Sequence, residues 1–355
     1  MLRVAVVGAG PVMQRIHLPS LRALAGVEVV ALADLDRNLG TRVAQAFGIA
    51  RVYGDVRELL AAEPQLDGVI AVTGKPWHAA ACLPVLERGL PVFTEKPLAA
   101  TLADARTMVE TATRTGARLM VGYMKQYDPA VIEARRRLED GAIGPVRYAR
   151  IHDFGGDFVC GAQGVATLPL VPPQPAGPRP AATRAGGPSA PPDAEQRRRQ
   201  AFDQWIEVWI HDVNLVQHLF GPVRDVVWSR EGAPKLALVR CTSGAEVLLE
   251  LGGPHPGGLP WDETIDAYGP SGQLALRLKP PFLRHAQTGL TIETPAGTQA
   301  VRCGHAEAFT EEIRAFCRLL QTGDAPATDG AMGLADMELC ARLVDAAHPG
   351  ATEAL

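Results

Sequence analysis

The feature that most constrains this chain is the regular alternation, over its first 125 residues, of short apolar stretches with helical patterns. Strand-like runs at Arg3–Val7, Glu28–Ala33, Gly68–Val72, Pro91–Thr94 and Arg118–Val121 are separated by segments of helical periodicity. Strands joined by helices cannot pair as hairpins, so the pattern predicts a parallel, doubly wound α/β sheet in a first domain, residues 1–125. Helix starts agree with it: Asp55 precedes a helical pattern, and Thr101 opens the capping sequence Thr-Leu-Ala-Asp ahead of Ala105–Thr113.

From residue 126 the pattern changes. After a helix at Asp128–Glu139 come strand-like runs at Val146–Phe154, Val223–Arg230, Leu236–Cys241, Ala245–Leu251, Thr264–Tyr268, Leu274–Leu278 and Leu290–Glu293. Consecutive strands with turn residues between them predict an antiparallel sheet in an α+β second domain, 126–355. A helix at Asp203–Phe220 interrupts the run, and two helices within 306–347 follow it. Residues 159–200 carry nine prolines and Arg197-Arg198-Arg199 without hydrophobic periodicity, which predicts a flexible insertion ending in solvated arginines.

Composition excludes several function classes. With 35 Lys plus Arg against 39 Asp plus Glu, the net charge of −4 gives no general attraction for nucleic acid or an anionic membrane. No apolar run approaches the roughly 20 residues of a spanning helix, and the first strand follows directly on Arg3 without a signal-peptide pattern; the expected location is the cytoplasm. The six cysteines are far apart, without a C-x-x-C pair, so they read as reduced thiols, and no metal site is expected from them.

Three motifs carry chemistry. Gly8-Ala9-Gly10-Pro11-Val12-Met13 follows the first strand, and such a glycine turn presents N–H groups to a pyrophosphate at a helix start. Met13 stands where a third small residue is usual, which predicts a wider gap between helix and strand. The second strand ends at Asp34, 21 residues beyond Met13, where a carboxylate accepts from adenosine ribose hydroxyls and repels a 2′-phosphate. The expected cofactor is therefore NAD, with NADP disfavoured but kept open by Arg37. Glu95-Lys96-Pro97 lies at the end of a strand, on the edge where parallel sheets bind ligands, and a lysine desolvated there is suited to proton transfer. Finally, if Trp205–Asn214 is a regular helix, Glu207, His211 and Asn214 share one face, while Trp205, Trp209, Val213, Val216 and Phe220 form an opposing core stripe.

Val7-Gly8-Ala9-Gly10 with His17-Leu18-Pro19, Thr73–His78, Glu95-Lys96-Pro97, Val121-Gly122-Tyr123 to Asp128-Pro129, and His211–Asn214 resemble the Gfo/Idh/MocA oxidoreductases over nearly the whole chain outside 159–200. The resemblance implies a Rossmann domain, a second domain whose antiparallel sheet is open, a cofactor held by Gly8, Gly10, Pro11, Val12, Asp34, Thr73, His78, Glu95 and Lys96, and a catalytic set of Lys96, His211 and Glu207. It implies substrate contacts from Lys96, His211, Tyr123 and Asn214, a cis Lys96–Pro97 bond, a sugar, aminosugar or cyclitol (polyol) substrate, and a homodimer or homotetramer formed through the open sheet. Glu207 stands where Asp is usual, and Gln126 where a basic residue is common. Two alternatives stay open: tightly held NAD that is reduced and reoxidised for net epimerisation or elimination, or a non-catalytic ligand-binding or sensory protein.

Overall fold

The computed structural model describes residues 1–156, 171, 194–253 and 261–349. Six strands form a parallel sheet: β1 (Leu2–Val7), β2 (Val27–Ala33), β3 (Arg51–Tyr53), β4 (Gly68–Ala71), β5 (Val92–Glu95) and β6 (Leu119–Gly122). Their order, β3-β2-β1-β4-β5-β6, reverses direction between β1 and β4, the switch point at which doubly wound sheets bind nucleotides. The helices of this half are α1 (Leu18–Arg22), α2 (Arg37–Phe47), α3 (Val56–Ala62), α4 (His78–Glu87) and α5 (Leu102–Thr115). Asp55 and Thr101 cap α3 and α5 by accepting from the N–H groups of Glu58 and Asp104. The short edge strand β3 escapes the sequence pattern because only three residues pair.

Helix α6 (Pro129–Glu139) leads into a second sheet of eight strands, β7 (Tyr148–Phe154), β8 (Val223–Arg230), β9 (Lys235–Cys241), β10 (Glu246–Gly252), β11 (Asp262–Gly269), β12 (Gly272–Leu278), β13 (Gly289–Thr294) and β14 (Gly297–Val301). The order is β14-β13-β12-β11-β7-β10-β9-β8, and every neighbouring pair is antiparallel except β7 with β10, so the open sheet is mixed. On β9 and β10, Ala237, Val239, Val247 and Leu249 are buried on one face, while Leu236, Leu238, Leu248 and Glu250 on the other keep part of their surface in water.

Helices α7 (Ala194–Gln204), α8 (Ile210–Phe220), α9 (Ala308–Thr322) and α10 (Gly330–Ala347) complete the described chain. Part of the expected flexible insertion is thus corrected. Residues 194–200 are the first half of α7, and Arg198 is buried against Asp345 of α10 at 2.5 Å instead of solvated. An ion pair across two helices gives this apolar-poor segment a partner that local periodicity does not reveal. Of the rest of 159–200, only Val171 lies within the described residues. Its main chain bonds both ends of the Gln14 amide.

Helix α9 returns to the first sheet and packs on α1 and on β1, so the C-terminal third contributes to both halves. Trp205, Trp209, Val213, Val216 and Phe220 are all buried, as the apolar stripe predicts. Cys82, Cys241, Cys303, Cys317 and Cys340 are free thiols, and Cys160 lies outside the described residues.

Candidate active site

Because β1, β2, β4, β5 and β6 run parallel, the residues that follow them emerge on one edge of the sheet: Gly8–Gly10, Asp34, Thr73, Lys96 and Tyr123. Gly8 has φ +95°, and a Cβ there would lie 2.2 Å from the Val72 carbonyl oxygen, so the turn excludes any side chain. Gly10 has open space around it. Asp34 accepts from Ala9 N at 2.7 Å and from Asp36 N at 2.7 Å, tying the end of β2 to the glycine turn. A small-residue turn against a neighbouring strand, with a carboxylate beside it, fits a dinucleotide. The helix that follows opens at Met13–His17 with a π turn, and the Met13 side chain is fully buried.

Lys96 stands at the end of β5 with a cis peptide to Pro97. Its Nζ donates to the main-chain carbonyl of Glu207 at 2.5 Å, across from the helix that carries His211. Burial pushes the Lys96 ammonium towards deprotonation, as do the charges of Lys125 and Lys75, against the opposing pull of Glu95 and Glu207. His211 is held well below the ordinary imidazole range by burial first, then by the charges of Lys96 and Lys125. Its Nδ1 is buried without a hydrogen-bond partner among the described residues, and the edge of its ring meets Tyr123 with centroids 6.3 Å apart.

Several expected roles change. Trp205–Trp209 is a π turn, not regular α-helix, and i→i+5 bonding prevents residues four apart from stacking. The Glu207 carboxylate consequently faces solvent and Lys75, at 3.3 Å, instead of His211. Glu207 acts here through its carbonyl, on Lys96. Asn214 is not turned to the cleft: its Nδ2 donates to Asp336 at 2.8 Å and its Oδ1 accepts from Gln126 at 2.7 Å. Tyr123 is buried, its ring meets that of His211, and burial with the nearby Asp336 holds its phenol well above the usual range. His78 bonds the carbonyls of Pro97 at 2.7 Å and Thr73 at 3.1 Å, bracing two cofactor-edge loops without facing the cleft. Glu95 is likewise spent within the protein: burial would raise its carboxyl, but His17 at 2.7 Å outweighs this and holds it low.

The structure adds residues that the sequence reading does not single out. Lys125 Nζ donates to Glu263 at 2.6 Å in a pair almost wholly removed from water. Burial alone would discharge Lys125, but Glu263, Asp212 and Asp153 keep it cationic. Asp153 is pushed well above the carboxylate range by burial and by Asp212, and burial lifts Asp212 to about 7 against the charge of Lys125. On the other flank, Glu312 of α9 is fully buried near Glu95, and both effects push it well up. Asp336 is lifted to about 7 by burial, moderated by bonds from Asn214 and Gln217. None of these acids has a partner adjacent in sequence, so only the tertiary fold brings them together.

Two surface cavities of about 210 and 370 Å³ lie elsewhere, one beside Leu18, Val27 and Phe47, the other beside Tyr127, Cys303 and Arg318. Neither is lined by Lys96 or His211.

Comparison with known proteins agrees with the topology. Residues 2–123 match the family described as oxidoreductase, NAD-binding Rossmann fold, of Gfo/Idh/MocA type. D-apiose dehydrogenase of Paraburkholderia graminis is 40% identical over 147 residues, 41% of this chain and 39% of that protein. Inositol 2-dehydrogenase of Acidothermus cellulolyticus is 35% identical over 144 residues, 40% of this chain and 42% of that protein. The chain thus spans about two fifths of the length of the curated relatives it matches. Similarity of fold extends further: an Agrobacterium radiobacter oxidoreductase solved with NAD+, L-tartaric acid and magnesium has TM-score 0.74 at 21% identity, covering 99% of this chain and 98% of that one. The Caulobacter crescentus aldose-aldose oxidoreductase, solved with glycerol, has TM-score 0.75 at 19% identity, covering 100% of this chain and 99% of that one.

Proposed function

We propose that this chain, whose residues 2–123 match the Gfo/Idh/MocA oxidoreductase family, catalyses NAD-dependent hydride transfer at a secondary alcohol carbon of a sugar, aminosugar or cyclitol. The observation that carries the proposal is the meeting of Lys96, from the edge of the parallel sheet, with Glu207 in the turn that leads into the His211 helix, Lys96 and His211 each lying in surroundings that disfavour the charged form. Neutral His211 accepts the proton of the substrate hydroxyl and returns it in the reverse direction. Lys96 donates a hydrogen bond to the same oxygen, which needs it most when partly negative. The Glu207 carbonyl holds Nζ in place, while Tyr123 and Asn214 fix the position of the His211 helix.

The glycine turn with Pro11 and Val12, Asp34 and Thr73 would hold the dinucleotide, which when bound accepts or supplies the hydride. The Asp34 carboxylate favours NAD over NADP by repelling a 2′-phosphate. On this reading residues 1–125 bind cofactor, and 126–355 bind substrate and join copies of the chain. The half-exposed aliphatic residues of β9 and β10 suit a dimer or tetramer through the open sheet, and light scattering showing a monomer would remove that part.

A panel of sugars and cyclitols with NAD+, followed at the absorbance of reduced nicotinamide, tests the reaction. Turnover of one class supports it. Binding without any turnover, in a preparation shown to take up NAD+, refutes it in favour of a ligand-binding protein. A co-purifying cofactor with substrate conversion but no net absorbance change refutes it in favour of epimerisation or elimination.

A further inference from the structure

The loop between β12 and β13 and the segment joining β14 to α9 come together at His285, His305 and Glu307. One ligand atom from each residue lies within 4.8 Å of the other two. The imidazole centroids are 6.1 Å apart. Glu307 is fixed from two sides: its Oε1 accepts from the His285 main-chain N–H at 2.8 Å, and its Oε2 accepts from Lys279 Nζ at 2.8 Å. Burial would raise this carboxyl, but those two bonds and the nearby charges hold it low and ionised. Among the described residues His285 is the one non-glycine with positive φ, 59°, a conformation that a side-chain-bearing residue adopts at a cost.

We propose that His285, His305 and Glu307 form a binding site for a divalent transition-metal ion of the zinc class. Two imidazole nitrogens with one carboxylate oxygen are a zinc donor set, whereas magnesium and calcium take sets made of oxygen. A carboxylate has four lone-pair positions, and Lys279 and the His285 N–H use two, so Glu307 can ligate while staying hydrogen-bonded, as ligating carboxylates generally are. Three protein ligands leave one position to water or to a group from outside the site. The cysteines play no part, which is why a search for cysteine spacing passes over it.

The ion would have a structural consequence. Arg284 Nη2 of the same loop donates to the Arg15 carbonyl at 3.0 Å, in the turn that follows Gly8–Gly10. Phe282 stacks on Phe309 of α9 with centroids 5.9 Å apart and planes at 7°. A metal at His285, His305 and Glu307 would pin this loop and the start of α9 against the first helix of the cofactor-binding half.

The untagged full chain, freed of metal with chelator, is titrated with Zn2+ and with Mg2+ by calorimetry and by thermal unfolding, and its Co2+ spectrum is recorded. The expected result is one Zn2+ per chain, no Mg2+ binding, and a Tm that rises with Zn2+ because the ion binds only the folded state. His305→Ala and Glu307→Gln should each weaken Zn2+ by at least about tenfold, while His348→Ala leaves it unchanged. His285→Gly relieves the backbone at positive φ, so a variant that folds at least as well yet loses the ion separates ligation from folding. Failure of the intact chain to bind Zn2+, equal binding by the His285→Ala/His305→Ala variant, or a thiolate-to-cobalt band from nearby Cys303 would overturn the assignment.

Discussion

Replacing Lys125 by Met tests whether the buried charges beside His211 form one electrostatic unit. The Lys125 and Glu263 side chains are 6% and 0% exposed, and their charged atoms are 2.6 Å apart. At that distance, with an effective dielectric constant near 20, the attraction is about 6 kcal/mol, set against the cost of taking both ions out of water. Met fills a similar volume but strands the Glu263 carboxylate, leaving it the Trp261 indole N–H at 3.1 Å and the nearby acids Asp153 and Asp212. The expected loss is about 3–5 kcal/mol, a fall in Tm on the order of 10 °C. Glu263→Gln in the same chain removes the stranded charge and should restore most of it. Urea unfolding of the wild type, both single variants and the double variant gives the coupling free energy directly. Because Lys125 also helps to keep His211 neutral, the acid limb of the turnover profile should move to higher pH in Lys125→Met. Additive losses, with an unmoved acid limb, would refute the reasoning.

Lys96→Ala and His211→Ala should each lower turnover by about 10² to 10⁴, with the double variant little worse than the poorer single, because both act on one oxygen; multiplicative losses in steady-state kinetics would assign them to separate steps. Comparison of kcat/KM with the two cofactors should favour NAD, and Asp34→Ala should narrow the gap; equal or better use of NADP by the wild type would refute the role of Asp34. Asp336 ionises at about 7 in the fold against an ordinary 3.8. Below both values it is protonated in folded and unfolded chains alike and contributes nothing. As pH rises between them only the unfolded chain ionises, which costs stability up to about 4 kcal/mol by pH 7. Unfolding measured from pH 4 to 8 should therefore show a flatter decline in Asp336→Asn, and parallel profiles would count against it.

What the sequence made legible was what depends on local pattern. The strand–helix alternation of the first half, the caps at Asp55 and Thr101, the glycine turn and the apolar stripe of Trp205 to Phe220 all rest on residues close together in the chain. Exposed or irregular elements were harder: β3 pairs over three residues, and β14 presents almost no buried side chain. The π turn at Trp205–Trp209 was hidden because apolar spacing there suits either winding, and that one difference moved Glu207 from His211 to Lys75. Arg198 looked like a solvated loop end because its partner, Asp345, is 147 residues away. Asp153, Asp212, Glu263, Glu312 and Asp336 become informative only once burial is known, since a carboxylate in sequence gives no sign of whether water will reach it.

The charges around the cleft suggest why a lysine and a histidine can share a task that ordinary ones would not. Each acid near the site is either held by a basic partner or lifted towards its neutral form. Glu95 is held by His17, and Glu263 by Lys125, while Asp153, Asp212, Asp336 and Glu312 are all raised. Little uncompensated negative charge is therefore left to draw a proton onto Lys96 or His211, and burial acts on both in the same direction. On the proposed reading, a positively charged nicotinamide would add to that bias. Proton acceptance from a substrate hydroxyl would then be favoured at the moment a hydride is to leave, and the bias would relax once the ring is neutral. The surrounding acids would thus serve the reaction by being protonated or paired, so converting one of them into a free buried carboxylate should slow the chemistry even where the fold survives.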